Sequence, residues 1–471
     1  MASAPNIVWL FSDQHRADVL GAAAHPVVRT PVLDGLVAEG TLFENAYCQG
    51  PLCMPARASL LTGRYVRDHG VVNNRTALAD GLPTMVRAIS DAGYHTATIG
   101  KTHLYPHLSD VDDGLPLMRG YGFAEVHETA GKLASGKVRS EYTDHLIRRG
   151  LYDTYRDYVF RRAPRKHRNG NPAVPSLPMW TVDPTPLPAA DHIDSWVGEQ
   201  AARWIDAARE RPFFLWVGFP GPHNPWDAPA EYVDQYRTAD VDLDTTRRPE
   251  VPADGPLKPF LEAFLDYSDS ATLTDERITE VRRHYFANIT LIDAAIGRIL
   301  DALRERGLDG DTWVVYSTDH GEMLGTHGLF NKMVFYEPSV RVPLIIRPPG
   351  GGTAHRFGGL VEHVDLTSTL VELAGAKPIP DAPGRSLTGA VAGEPAPGRD
   401  VVVSENFGFA MWRTERYKLV VHESQRRPVQ LFDLAADPGE DHNLVDDPDH
   451  AGLVEDLTRA HARPFLGGDT R

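Results

Sequence analysis

The sequence predicts an α/β fold, a large and mostly parallel sheet flanked by helices, followed by a small antiparallel α+β subdomain at the C-terminal end. Three observations predict it. Short apolar runs of strand length recur along the first three-quarters of the chain. Amphipathic stretches lie between them. After residue 376 the pattern changes to short alternating segments.

Residues 6–11, 96–100, 213–218, 312–317 and 343–346 read as strands buried on both faces. Between them, residues 82–92, 195–209 and 289–306 carry apolar side chains at helical spacing. The segment 377–400 is dense in Pro, Gly and Ala and reads as a linker or surface excursion. Residues 1–376 are therefore assigned to the α/β domain. Residues 377–471 form the subdomain, with strands at 401–404, 417–421 and 430–434 and a helical tail from about His450. No internal repeat is present.

With 471 residues, 42% of them hydrophobic, the chain can bury one large core or two, and disorder is excluded. Its apolar runs are far shorter than the roughly 20 residues of a membrane-spanning helix. The first five residues contain neither a basic region nor a long apolar one, which predicts a cytoplasmic protein. A net charge of -16 argues against a general nucleic-acid binder, because duplex binding relies on Lys and Arg neutralising phosphates. It does not argue against a small anionic substrate, which responds to the local field of a cleft. Residues 132–168 depart from this balance, with eleven Lys or Arg against four Asp or Glu. They read equally well as a basic rim near a site and as a solvated face or subunit contact, so a homo-oligomer is compatible with the sequence. Cys48 and Cys53 are the only cysteines, which excludes a disulfide framework and leaves open a single bridge between them.

In open parallel sheets ligands bind beyond the carboxyl ends of the strands, so the residues there are the informative ones. The first strand runs into Asp13 and Gln14, the second into Lys101 and His103, the third into His223 and the fourth into Asp319 and His320. One such group alone reads as a strand-end cap; four together supply hard oxygen donors, an imidazole and cations. Carboxylate, amide and imidazole donors suit Ca²⁺, Mg²⁺ or Mn²⁺ better than a thiolate-rich zinc site. Cys53 precedes Pro55 and a helix-favouring run from Ala56 to Leu61, which places it at a helix N-terminus. Arg57, one turn on, can point its fork back to the same spot, where the helix end favours an anion. Lys332, in the loop after Asp319, reads by itself as a surface lysine.

The stretch Cys53, Pro55, Arg57, followed by Leu61, Thr62, Gly63 and Arg64, resembles the signature of the formylglycine-dependent sulfatases of the alkaline phosphatase superfamily. The resemblance extends from Asn6 to about Gly350, and again over residues 430–443. It implies that a formylglycine-generating enzyme converts Cys53 to 3-oxoalanine, whose hydrate offers a hydroxyl nucleophile. Asp13, Gln14, Asp319, His320 and an oxygen of modified Cys53 would hold one divalent cation. Arg57 would steady the hydrate, Lys101 and Lys332 would bind sulfate oxygens, and His223 would lie near the leaving oxygen. His103 would accept the proton whose loss frees sulfate.

Gln14 and His320 stand where many members carry Asp and Asn, so the ligand set has less negative charge and one softer donor. Ca²⁺ is the metal the resemblance implies first. A Gln and His pair also occurs in the related phosphonate monoester hydrolases, for which Mn²⁺ is plausible, whereas Lys101 and His103 match the sulfatase pattern where those hydrolases are expected to differ. The sequence thus predicts hydrolysis of a small-molecule sulfate ester, arylsulfatase-like, with aryl, choline-like, alkyl and sugar sulfates all open as substrates. Phosphonate monoester or phosphodiester hydrolysis is the alternative, and binding of a sulfated ligand without turnover the third reading. The leaving group would be selected by residues 106–188 and 225–266, rich in Tyr, Trp and Arg.

Overall fold

The computed structural model describes residues 4–106, 108–162, 180–207, 212–243, 249 and 251–467. The end of the basic stretch, beyond residue 162, lies outside them, as do parts of the two predicted leaving-group loops.

Among the described residues nine strands form the large sheet: β1 (Asn6–Asp13), β2 (Thr41–Tyr47), β3 (His95–Gly100), β4 (Glu125–Glu128), β5 (Phe213–Pro222), β6 (Thr312–Thr318), β7 (Arg341–Val342), β8 (Leu344–Arg347) and β9 (His355–Glu362). Their order is β4-β3-β5-β1-β6-β8-β2-β7, and β9 lies off this path, paired parallel to β2. From β4 to β6 all pairings are parallel, so the ends of β3, β5, β1 and β6 lie side by side on one edge. The strand expected at 343–346 forms as β8 but runs antiparallel to β6, which makes the sheet mixed at that side. The adjacent β2 and β9 were not expected. In β2 the apolar residues are interrupted by half-exposed Glu44 and Asn45, which erases the continuous apolar run of an inner strand.

Alternation along β1 divides the core. Ile7, Trp9 and Phe11 pack on one face with Met54, Leu60 and Leu61 of the helix Cys53–Thr62 and with Leu366 and Leu370 of the helix His363–Leu373. Val8 and Leu10 pack on the other with Val197 and Ala201 of Ile193–Asp206 and with Ile296 and Ile299 of Asp275–Glu305. Each fully buried large apolar side chain stabilises the fold by roughly 1.5–3 kcal/mol relative to exposure, so both faces hold the sheet edge rigid. The helix predicted at 289–306 begins at Asp275, because Thr274 caps it by accepting from Arg277 N and the polar residues of its first turns read as loop.

Strands β10 (Val401–Asn406), β11 (Phe409–Thr414), β12 (Tyr417–His422) and β13 (Arg427–Asp433) form a separate antiparallel meander, followed by helical residues 451–465. β11 was not expected. The meander packs beside the segment leading to Cys53: Glu405 N donates to Gln49 O at 2.9 Å, and Asn406 Nδ2 donates to Met333 O at 2.8 Å. Cys48 and Cys53 are both free. Lys132, the first cation of the basic stretch, is not solvated; it is buried and its Nζ donates to Asp227 Oδ1 and Asn288 Oδ1, each at 2.7 Å.

Candidate active site

Four of the predicted residues form one buried cluster. Ligand-capable atoms of Asp13, Cys53, Asp319 and His320 lie within 4.8 Å of one another. Asp13 is the last residue of β1, Asp319 and His320 follow β6, and Cys53 opens the helix Cys53–Thr62. Gln14 adopts a left-handed φ of 74°, a conformation uncommon outside glycine. Its N–H donates to Asp319 Oδ1 at 3.0 Å and its carbonyl accepts from Tyr285 Oη at 2.7 Å, so both sides of its peptide are held. The Gln14 amide lies between Lys332 Nζ, which donates to Oε1, and Glu322 Oε2, which accepts from Nε2.

Arg57 is the hinge of the arrangement. Its Nε donates to Asp319 Oδ2 at 2.8 Å, Nη2 to Asp13 Oδ2 at 3.0 Å and Nη1 to Thr102 O at 2.7 Å, with no part of the side chain exposed. One guanidinium fork thus joins the ends of β1, β3 and β6. Lys101 Nζ donates to Asp13 Oδ2 from the β3 side. Gly100, at φ 94°, makes this turn possible: an added Cβ would collide with Gly218 O on β5.

Burial pushes the Asp13 carboxyl up, but the charges of Lys101, Arg57 and Lys332 outweigh it and hold Asp13 well below the usual carboxylate range. Burial, with Asp13 and Asp319 close by, pushes the Cys53 thiol up despite Lys332 and Lys101. Because the thiolate is the reactive form, the unmodified thiol is a poor nucleophile here. Burial, reinforced by Lys332, lowers His320 and keeps it neutral. Its Nδ1 lies 3.0 Å from Gly321 O, a pure acceptor, so Nδ1 carries the proton and Nε2 presents a lone pair toward Cys53 Sγ at 3.3 Å. Burial would lower Lys332, but the carboxylates of Asp13 and Asp319 raise it, so it stays charged. Lys332 is 5% exposed; the surface reading suggested by its sequence context does not hold.

A divalent cation fits these residues. Asp13 Oδ1 is buried without a hydrogen-bond partner, an arrangement that costs free energy unless a charge faces it. The donors around it, two carboxylates, an amide oxygen and a neutral imidazole nitrogen, are those of a hard-cation site.

His223 and His103 stand farther out. His223, half-buried after β5, interacts electrostatically with Asp13, Lys101 and Lys332; burial first, then the two lysines, hold its ring neutral. His103, at φ 50°, lines a shallow pocket with Lys101, Tyr105, Leu108 and Glu128. Sequence reasoning missed Glu322, although it follows Asp319 by three residues. Its Oε1 accepts from Leu324 N at 2.9 Å and Asn331 N at 2.5 Å, so it holds the Lys332 loop as well as Gln14. It also missed Asn74, whose Oδ1 accepts from Met54 N at 3.0 Å in the first turn after Cys53. No local pattern marks either residue.

The Sulfatase family pattern matches residues 5–376, and that of the C-terminal region of N-sulphoglucosamine sulphohydrolase matches residues 325–463. The chain is similar to an arylsulfatase of Clostridium perfringens, 30% identical over 98% of this chain and 95% of that protein. It is also similar to a choline-sulfatase of Rhizobium meliloti, 29% identical over 97% and 86%. Among solved structures, the phosphonate monoester hydrolase of Agrobacterium radiobacter superposes with a TM-score of 0.82 at 26% identity, covering 98% of this chain and 95% of that one. With a family match across more than three-quarters of its length and these residues gathered at one sheet edge, the chain belongs to the sulfatase family of hydrolases, within the alkaline phosphatase superfamily.

Proposed function

We propose that the chain hydrolyses a sulfate monoester with an aromatic leaving group, with residue 53 in its formylglycine form and one divalent cation, Ca²⁺ before Mn²⁺ or Mg²⁺. The observation that carries this reading is the pair of buried lysines beside the cluster: Lys101 on Asp13 from the β3 side, Lys332 on Gln14 from the β6 side. A sulfuryl group keeps negative charge on its oxygens throughout transfer, so cations fixed in advance around it lower the barrier. When present, the cation would polarise a sulfuryl oxygen and hydrated residue 53 would supply the attacking hydroxyl.

The chain's own residues do the remaining work. Asp13, Gln14, Asp319 and His320 hold the cation, and Arg57 fixes the two carboxylates. Lys101 and Lys332 bind the sulfuryl oxygens. His223 Nδ1 lies 2.8 Å from Asn224 O and donates to it, which leaves Nε2 with the lone pair that must first take up a proton before it can pass one to the leaving oxygen. His103 accepts the proton whose loss frees sulfate. Two exposed apolar side chains support an aromatic leaving group. Tyr267, 39% exposed, interacts electrostatically with Lys332, Glu322 and Cys53 and stacks on Phe264 at 6.1 Å. Leu108, 37% exposed, shares a pocket wall with Lys101 and His103.

Phosphonate monoester hydrolysis is the second reading, favoured by the Gln14 and His320 pair and by the likeness to the Agrobacterium enzyme. Initial rates on 4-nitrophenyl sulfate and on 4-nitrophenyl phenylphosphonate, with Ca²⁺ and then Mn²⁺, distinguish the two, with peptide mass spectrometry reporting the state of Cys53. A larger kcat/KM on the sulfate supports the proposal, and a larger one on the phosphonate overturns it. Converted protein that binds the sulfate but never releases product is a binding protein.

A further inference from the structure

A buried carboxylate that no part of the proposed reaction uses lies under the Lys101–His103 segment. Glu128 is the last residue of β4 and 6% exposed. Its Oε1 accepts from Thr102 Oγ1, from Thr102 N at 3.3 Å and from His103 N at 3.4 Å, while Oε2 accepts from Tyr105 Oη at 2.5 Å. One carboxylate therefore takes four donors from the chain segment that carries Lys101 and His103. His103 has a left-handed φ of 50°, which a residue with a Cβ keeps only where its surroundings over-determine it. Two of the donors reaching Glu128 are the peptide N–H groups of Thr102 and of His103 itself, so the carboxylate clamps the backbone where the strain sits.

Three residues further, Gly131 lies against Lys101. A Cβ built on Gly131 would come within 3.1 Å of Lys101 Nζ and 3.4 Å of Cε. The register is fixed because Thr129 N donates to Gly100 O at 3.0 Å, continuing the β3–β4 pairing past both strand ends. From these contacts we propose that residues 128–131 are a positioning cradle for the reaction. Glu128 sets the direction of His103 through the backbone, and the bare backbone of Gly131 leaves room for the Lys101 ammonium to reach Asp13. Neither residue touches substrate; each acts through the neighbour it holds. The inference rests on the reaction proposed above and extends it to the residues that aim two of its groups.

Glu128→Gln keeps an acceptor oxygen for the Thr102 and His103 donors, and its amide can donate to Tyr105 Oη, which then donates to Val111 O, 3.2 Å away. Glu128→Ala removes every acceptor. The test compares these two variants and Gly131→Ala with the full chain, all with Cys53 converted. The cradle predicts that Glu128→Ala lowers kcat on 4-nitrophenyl sulfate by about 10²-fold, the scale of one positioned proton-transfer group, with KM and the Kd of inorganic sulfate within about twofold. Glu128→Gln should restore kcat to within about fivefold of the parent. Gly131→Ala should instead raise KM and the sulfate Kd several-fold, because it displaces the anion-binding ammonium. Crystals of Glu128→Ala should show His103 out of the left-handed region. Equal losses in the Gln and Ala variants, an unchanged kcat in folded Glu128→Ala, or an unmoved His103 would overturn the cradle. Should Glu128→Ala not fold, the Glu128→Gln and Gly131→Ala results decide. The His103 conformation and the sulfate Kd are read without turnover, so they test the cradle even where the parent chain cleaves no sulfate ester, a result that would sink the proposed function alone.

Discussion

Replacing Arg57 by methionine keeps much of the side chain's length and removes the charge that joins Asp13 to Asp319. Both ion pairs are fully buried, at 3.0 and 2.8 Å. Removing one partner of a buried pair strands the other as an uncompensated charge, at a cost of about 3–5 kcal/mol. At roughly 2.1 cal/mol/K per residue, unfolding of 471 residues as one unit carries about 1 kcal/mol/K, so the thermal midpoint should fall by about 3–5 °C in chelator. A divalent cation between the same carboxylates compensates part of the lost charge, so the drop should shrink in millimolar Ca²⁺. The folded-state pKa of Asp13 lies below its unfolded value, so its contribution is present above about pH 4 and is lost as pH falls through the folded value. Without Arg57 that contribution is smaller, and the gap between parent and variant should be full at neutral pH and narrow in acid. Calorimetry of both proteins with and without cation, from pH 7 down to about 2, reads all three quantities. A drop under about 1 °C in chelator, or one that neither cation nor acid reduces, would refute the reasoning that Arg57 is the charge clamp of the site.

Away from the site, His69 gives the acid limb of stability a second source. Its Nδ1 accepts from Val71 N at 3.0 Å, so the neutral ring donates through Nε2 to Ser59 Oγ at 3.0 Å, and burial lowers its pKa from 6.5 to about 4. The unfolded state binds the proton more readily, so stability should fall as pH drops from 6.5 toward 4, by about 3 kcal/mol at full effect, and His69→Gln should lose that part of the slope in urea titrations. Tyr267→Ala should raise KM for an aryl sulfate about three- to tenfold, the scale of one lost aromatic contact, and leave KM for a methyl sulfate unchanged in steady-state assays. Equal effects on both esters would remove Tyr267 from leaving-group selection.

Much of the fold was legible because inner strands of a parallel sheet are apolar on both faces and stop abruptly at polar residues. Asn6 to Phe11 followed by Asp13 and Gln14, and Thr312 to Ser317 followed by Asp319 and His320, declare both a strand and its functional end. Of the strands that escaped, β2, β4 and β9 mix polar residues into the run or lie near an edge, which weakens the apolar signal, whereas β7 and the inner strand β11 are simply short. The antiparallel direction of β8 had no local signature, because strand direction is set by how the connections close.

At the site, residue types and spacing determined which side chains were candidates. Cys53 at a helix start with Arg57 one turn on is a local arrangement, and so are the polar groups just past each strand. Only the tertiary structure decided what those groups do to one another. Lys332 has the sequence context of a surface lysine and becomes a buried charge because Gln14, more than three hundred residues earlier, accepts from it. Glu322 and Glu128 look like ordinary acidic residues until packing removes water and leaves them as the acceptors for backbone donors in loops they hold. The physical reason is the same throughout: a sequence records hydrophobic periodicity and local chemistry, whereas desolvation and charge pairing depend on which distant segments share a volume.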